Sequence, residues 1–171
     1  MNVTMTDIKK LREMTGAGLS DCKKALAESD DMDGAVAYLR KKGQAVAAKR
    51  SDREAAEGCV LVKVADGFGA IIALKCETDF VANNADFVAL AQQILDAAVA
   101  NKCKSLEEVN ALPMDDGTVA DAVTARSGIT GEKMELDGYS YIEGDNICTY
   151  NHMNRNGLCA MVAFNAPVEA E

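Results

Sequence analysis

The residues of this chain with chemistry to offer are one histidine, His152, six cysteines, and the tetrapeptide Thr78-Asp79-Phe80-Val81. The cysteines stand at 22, 59, 76, 103, 148 and 159, and no two form a C-x-x-C pair. With a single histidine to join them, a zinc site is not expected. Most sit among apolar neighbours, as in Leu158-Cys159-Ala160. They read as buried free thiols of a reducing compartment, with an incidental disulfide as the other reading. Neither G-x-x-x-x-G-K-[ST] nor G-x-S-x-G occurs. The turn Asp66-Gly67-Phe68-Gly69 is too short to cradle a phosphate and falls in a hairpin, not at a helix start. Carboxylates are plentiful, but no pattern pairs them for acid–base work. His152 lies near the end of a strand, before a turn, where a surface histidine is the plain reading. Catalysis on a small substrate is therefore not expected, nor is a cofactor.

What remains is recognition, and Phe80 is its candidate. Aromatics are 5% of the chain and Trp is absent, so a Phe beside a carboxylate, between an apolar strand and a long helix, stands apart. Two fates are open to it. If a helix ran unbroken from Thr78, Phe80 and Phe87 would share one face and Phe80 would be core. If Asn83-Asn84-Ala85-Asp86 starts a fresh helix with Asn84 as its N-cap, Asp79 and Phe80 sit on a short turn where side chains project.

The elements that must position these residues follow from period and punctuation. Residues 6–47 read as three short helices. Thr6 is the expected cap of the first, with Ile8, Leu11 and Met14 inward. Thr15-Gly16-Ala17-Gly18 breaks the chain. A second helix over about 19–27 buries Cys22, Ala25 and Leu26. A third starts near Asp33, buries Val36 and Leu39, and places Lys41 and Lys42 toward its C-terminal dipole. Residues 48–57 read as a polar linker. Two β-type runs follow, Cys59–Val64 and Ala70–Cys76, joined by Asp66-Gly67, a strong hairpin signal. The long helix carries the stripe Phe87, Val88, Ala91, Ile94, Leu95, Ala98 and Val99. Ser105 and Glu108 predict a capping box for a short helix to Leu112, and residues 118–126 predict another. Strands are expected over 133–143, 146–152 and 157–164. Strands grouped around a helical block indicate an α+β fold, with an antiparallel sheet packed with helices over residues 58–165. Residues 166–171 read as the start of a helix that stops after about one turn. Either the end frays or the sequence is part of a longer protein, and the second is the expectation.

Composition sets the class. At 171 residues, 49% hydrophobic and 26% charged, the chain reads as soluble and globular, one ordinary domain or one domain plus a small appendage. No apolar run approaches the ~20 residues that span a bilayer. The N-terminus lacks the basic and apolar regions of a signal peptide, so a cytoplasmic protein is expected. A net charge of −9 opposes general binding of nucleic acid. Positive charge nevertheless crowds the first fifty residues, from Lys9 to Arg50, which suggests a separate N-terminal module.

Two stretches carry a family resemblance. Leu11-Arg12-Glu13-Met14-Thr15-Gly16-Ala17-Gly18-Leu19-Ser20-Asp21-Cys22-Lys23-Lys24-Ala25-Leu26 closely resembles the N-terminal signature of the bacterial translation elongation factor Ts family. Cys76-Glu77-Thr78-Asp79-Phe80-Val81-Ala82 resembles its second signature, and similarity continues through Gly131-Glu132 and Tyr150-Asn151-His152. The resemblance implies guanine-nucleotide exchange on elongation factor Tu, in its GDP-bound and nucleotide-free forms. It implies that the three helices of residues 1–47 form a ubiquitin-associated-like module docking on the partner's GTPase domain, with Arg12, Leu19 and Ser20 at contact positions. Met is frequent in the family where this chain has Leu19 and Ser20. It further implies that Phe80 enters an apolar pocket of that domain, with Asp79 supporting it and Thr78 and Val81 in the same motif. Contacts near the nucleotide map onto Gly131 and His152, the residue before Gly131 being often apolar in the family and Thr130 here. Longer members continue into a second half-domain, and some short ones act as homodimers. The competing reading is a passive ubiquitin-associated-like interaction module without exchange activity.

Overall fold

Asp66 and Gly67 take φ of 49° and 71°, the paired positive values that a two-residue type I′ hairpin requires. The computed structural model describes residues 3–115 and 117–168. In order the elements are α1 (Met5–Thr15), α2 (Leu19–Ala27), α3 (Met32–Lys49), β1 (Glu57–Ala65), β2 (Phe68–Cys76), α4 (Asp79–Ala82), α5 (Ala85–Ala100) and α6 (Leu106–Ala111). Then come β3 (Pro113–Met114), β4 (Gly117–Thr118), α7 (Val119–Thr130), β5 (Glu135–Glu143), β6 (Asn146–Asn151), a 3-10 turn (His152–Asn154) and β7 (Cys159–Phe164). The fold is α+β, helices first and antiparallel sheet after, as the period change at residue 58 implies. The chain forms two compact units, Met1–Arg53 with Thr124–Lys133, and Glu54–Val123 with Met134–Glu171.

In the sheet unit, β1, β2 and β5 lie in that order, all antiparallel. Glu57 pairs with Cys76 and Ala65 with Phe68, so the hairpin is tight along its whole length. The β2–β5 register shifts between Ala73 and Leu74. The alternate side chains Phe68, Ala70, Ile72, Leu74 and Cys76 of β2 are buried, and α5 covers them with Phe87, Leu90, Ala91, Ile94, Leu95 and Ala98. Val109, Val119 and Val123 complete this core. Lys63 donates to Asp96 at 2.7 Å, tying β1 to α5. A second two-stranded sheet, β6–β7, is held to β1 by Val60 N–H donating to the Asn156 carbonyl at 2.7 Å and by Cys159 Sγ donating to the Val60 carbonyl at 3.1 Å. The paired strands β3 and β4, two residues each, have no signal in the sequence.

In the helical unit, Ile8, Leu11, Cys22, Ala25, Leu26 and Ala35 form a small separate core. Several local expectations are corrected here. Thr4, not Thr6, caps α1: its hydroxyl accepts from Asp7 N–H at 3.2 Å while Asp7 accepts from Thr4 N–H at 3.1 Å. This capping box pulls the helix start toward the N-terminus. Met14 is 55% exposed, because α1 ends at Thr15 and Gly16 caps it in the left-handed conformation at φ 70°. Ala35 takes the fully buried place on α3, and Val36 and Leu39 pack only partly buried against the core. Lys41 and Lys42 lie mid-helix, since α3 continues to Lys49; Lys42 instead pairs with Asp21 of α2. The stretch outside regular structure between α3 and β1 is therefore 50–56. Of the helix expected over 166–171, residues 166–168 are not helical and residues 169–171 lie outside the described residues.

Candidate functional site

The motif Thr78-Asp79-Phe80-Val81 occupies the corner between β2 and α5. Thr78 caps α4, its hydroxyl accepting from Val81 N–H at 3.4 Å. Cys76 Sγ donates to the Thr78 carbonyl at 3.3 Å, which fixes the start of the corner. Asn83 closes the turn: its backbone N–H donates to the Asp79 carbonyl at 3.0 Å and its side-chain amide donates to the same oxygen at 2.8 Å. Asn84 then caps α5, its side-chain oxygen accepting from Asp86 N–H at 2.9 Å and Phe87 N–H at 3.4 Å. The break between Asn83 and Asn84 thus makes two helices. Val81 and Ala82 turn inward onto the core, and Asp79 and Phe80 turn outward. Phe80 is 85% exposed, the largest value among the exposed large apolar side chains of the described residues. The reading of Phe80 as core is overturned, and the reason is the Asn84 cap, which stops the Phe80–Phe87 face from forming.

His152 opens the 3-10 turn at the tip of the β6–β7 hairpin, where Met153 and Asn154 have φ of 53° and 52°. Its backbone N–H donates to the Leu158 carbonyl at 2.9 Å, and its ring Nδ1 lies 2.7 Å from the Tyr150 hydroxyl. The side chain is exposed. This tip is anchored at Val60, three residues from Glu57, which pairs with Cys76. At ~3.3 Å per strand residue, the two anchors stand about 10 Å apart along β1, that of α4 at its end and that of the His152 turn near its middle.

The helical unit carries the other expected positions. Arg12 lies in the last turn of α1, and Leu19 and Ser20 open α2, flanking the Gly16–Gly18 corner. All three are exposed, Leu19 at 46%. Gly131 follows α7 at φ 74°, with open space where a side chain would be, and its N–H donates to the Ser127 carbonyl at 2.9 Å. One unit therefore holds Arg12, Leu19, Ser20 and Gly131, and the other holds Thr78–Val81 and His152.

Among the described residues, these corners display apolar side chains, Phe80 and Leu19. All six cysteines are free thiols. Burial pushes the Cys59 thiol up to about 12, with neighbouring Cys76 and Cys159 adding to it, and burial raises Cys22, Cys103 and Cys159 as well. Thiols so placed stay protonated at neutral pH and serve as small apolar fillers. Among the described residues, no group of three or more His, Cys, Asp or Glu is placed to hold a metal ion, and no helix is long and apolar enough to cross a membrane. Sequence reasoning missed Cys76 and Asn83 as the ties that hold the Phe80 corner. Their signal was position alone: each borders the motif.

Comparison with known proteins adds a family. The model described as Elongation factor TS matches residues 77–171, more than half of the chain. An elongation factor Ts of Bacteroides fragilis is 73% identical over 172 residues, covering 100% of this chain and 52% of the relative. One of Bacteroides thetaiotaomicron is 68% identical over 170 residues, covering 99% and 52%. One of Porphyromonas gingivalis is 58% identical over 171 residues, covering 99% and 62%. The chain spans about half the length of the first two of these relatives.

Proposed function

The chain belongs to the elongation factor Ts family, and from that premise we propose that it acts as a guanine-nucleotide exchange factor in translation elongation. It binds elongation factor Tu carrying GDP, promotes release of GDP and Mg2+, and holds the nucleotide-free partner until a new nucleotide enters. It works in the cytoplasm and transforms no substrate of its own. Arg12, Leu19 and Ser20 dock on the partner's GTPase domain, Phe80 enters an apolar pocket with Asp79 beside it, and Gly131 and His152 approach the nucleotide side.

The observation that carries this reading is Phe80, 85% exposed on a one-turn helix held by three flanking side chains. Leaving an aromatic in water forgoes ~1.5–3 kcal/mol of burial, which a partner's pocket recovers. Central aromatics of this kind are frequent hot spots, costing ~2 kcal/mol or more on truncation. Exchange requires no catalytic side chain. A factor that binds nucleotide-free partner more tightly than the GDP complex weakens GDP by the same factor, because coupling is reciprocal. The wedge at Phe80 supplies the difference between the two states.

Release of fluorescent GDP from elongation factor Tu, with and without this chain, tests the proposal. Acceleration that rises with the concentration of the chain is expected. Binding without acceleration would instead make the chain a passive interaction module.

A further inference from the structure

Glycine is a poor residue inside a helix, because it loses the most backbone entropy on folding. Yet α3 carries Gly43 and α7 carries Gly128, each within the helix. The two meet in the helical unit. A Cβ built on Gly128 would lie 2.2 Å from the Gly43 Cα and 3.1 Å from the Gly43 nitrogen, so the two backbones touch with no side chain between them. The converse does not hold. A Cβ on Gly43 would lie 3.5 Å from the Ala125 Cα and 3.6 Å from the Gly128 Cα, ordinary van der Waals separations. The crossing demands glycine at 128 and merely accepts it at 43.

Beyond Gly128 the chain is stitched to the helix it leaves. Ser127 is the buried polar side chain of this stretch, and its hydroxyl donates to the Glu132 carbonyl. Gly131 N–H donates to the Ser127 carbonyl at 2.9 Å. The Thr130 hydroxyl donates to the Arg126 carbonyl at 3.1 Å and accepts from Glu132 N–H at 3.3 Å. The Gly131 turn therefore goes where the end of α7 goes, and that end lies against Gly43 of α3, with Arg126 and Ile129 reaching the Gly16 corner.

We propose that Gly128 is a positioning residue: its backbone contact with Gly43 seats the end of α7 on the N-terminal helices and so fixes the Gly131 turn on the unit that carries Arg12, Leu19 and Ser20. This rests on the reading of those residues as partner contacts. The contact then joins sequence-distant segments into one recognition surface, and the module that meets the partner is larger than its three helices.

Amide hydrogen exchange of the intact chain reads the positioning without the partner. In Gly128→Ala, the Gly131 and Glu132 amides exchange at least about tenfold faster than in the parent chain, while Ala70–Leu74 of β2 keep their rates. Gly43→Ala leaves both sets unchanged. Undiminished protection at Gly131 in Gly128→Ala, equal loosening by Gly43→Ala, or a loss that reaches β2 overturns the proposal. A second readout uses GDP release from elongation factor Tu. Residues acting through one another are not additive, so Gly128→Ala/Gly131→Ala performs no worse than Gly131→Ala alone. Gly128→Ala combined with Phe80→Ala multiplies the two losses. Multiplied losses in the first pair contradict the proposal. A parent chain that fails to accelerate release removes the exchange reading and leaves the amide result standing.

Discussion

Phe80 and Phe87 lie in adjacent helices and have opposite fates. Each follows a capped start, Thr78 for α4 and Asn84 for α5. Phe87 is wholly buried and Phe80 is 85% exposed. The difference lies in helix length and in the cap between them. α5 has 16 residues and lays a full apolar stripe across β1 and β2. α4 has 4, enough to turn Val81 and Ala82 inward and nothing more. A single turn is unstable alone and persists here because the side chains of Cys76, Thr78 and Asn83 bond its ends. One aromatic thus builds the core, and its neighbour is displayed by that core.

The largest effect should separate the two rings. Phe87→Ala removes a fully buried ring and should destabilise the chain by about 3–5 kcal/mol in urea unfolding. Phe80→Ala should change stability by no more than ~0.5 kcal/mol in the same experiment. Equal costs would break the comparison. A smaller effect is expected from the boundary. Asn83→Ala with Asn84→Ala removes the α5 cap and a tie to α4, and should cost about 1–2 kcal/mol. It should also let the helices merge, so that the Phe80 ring loses solvent exposure, as followed by NMR. A chain that loses stability but keeps Phe80 exposed would show that the cap does not set the direction of the ring. A smaller cost than that of the boundary is expected of Thr78→Ala. Its cap bond is long, at 3.4 Å, and its loss should cost about 0.5 kcal/mol, seen as faster amide exchange at Val81.

Much of this was legible beforehand because it is local. The Asp66-Gly67 hairpin, the α5 stripe and the Asn84 cap each depend on residues within a few positions of one another. Phe80 was the borderline case. Periodicity and capping gave opposite answers, and the cap prevailed because a side-chain acceptor satisfies the donors that a continuous helix would have left to its own carbonyls. The cap of α1 was misplaced by two residues, since Thr4 and Thr6 offer the same hydroxyl and only Thr4 finds a reciprocal partner in Asp7. The association of residues 124–133 with the N-terminal helices could not be read at all. It includes a Gly43–Gly128 backbone contact, and a glycine gives no apolar period to find.

Phe80 is proposed to be displayed for a partner. The most direct test is fluorescent-GDP release from elongation factor Tu, driven by the parent chain and by Phe80→Ala, with urea midpoints of both measured alongside. A loss of ~2 kcal/mol at a hot spot corresponds to roughly 30-fold weaker action at equal concentration. That loss is expected, with matching midpoints. Full acceleration by a folded Phe80→Ala chain, or a loss that tracks a fallen midpoint, would contradict it.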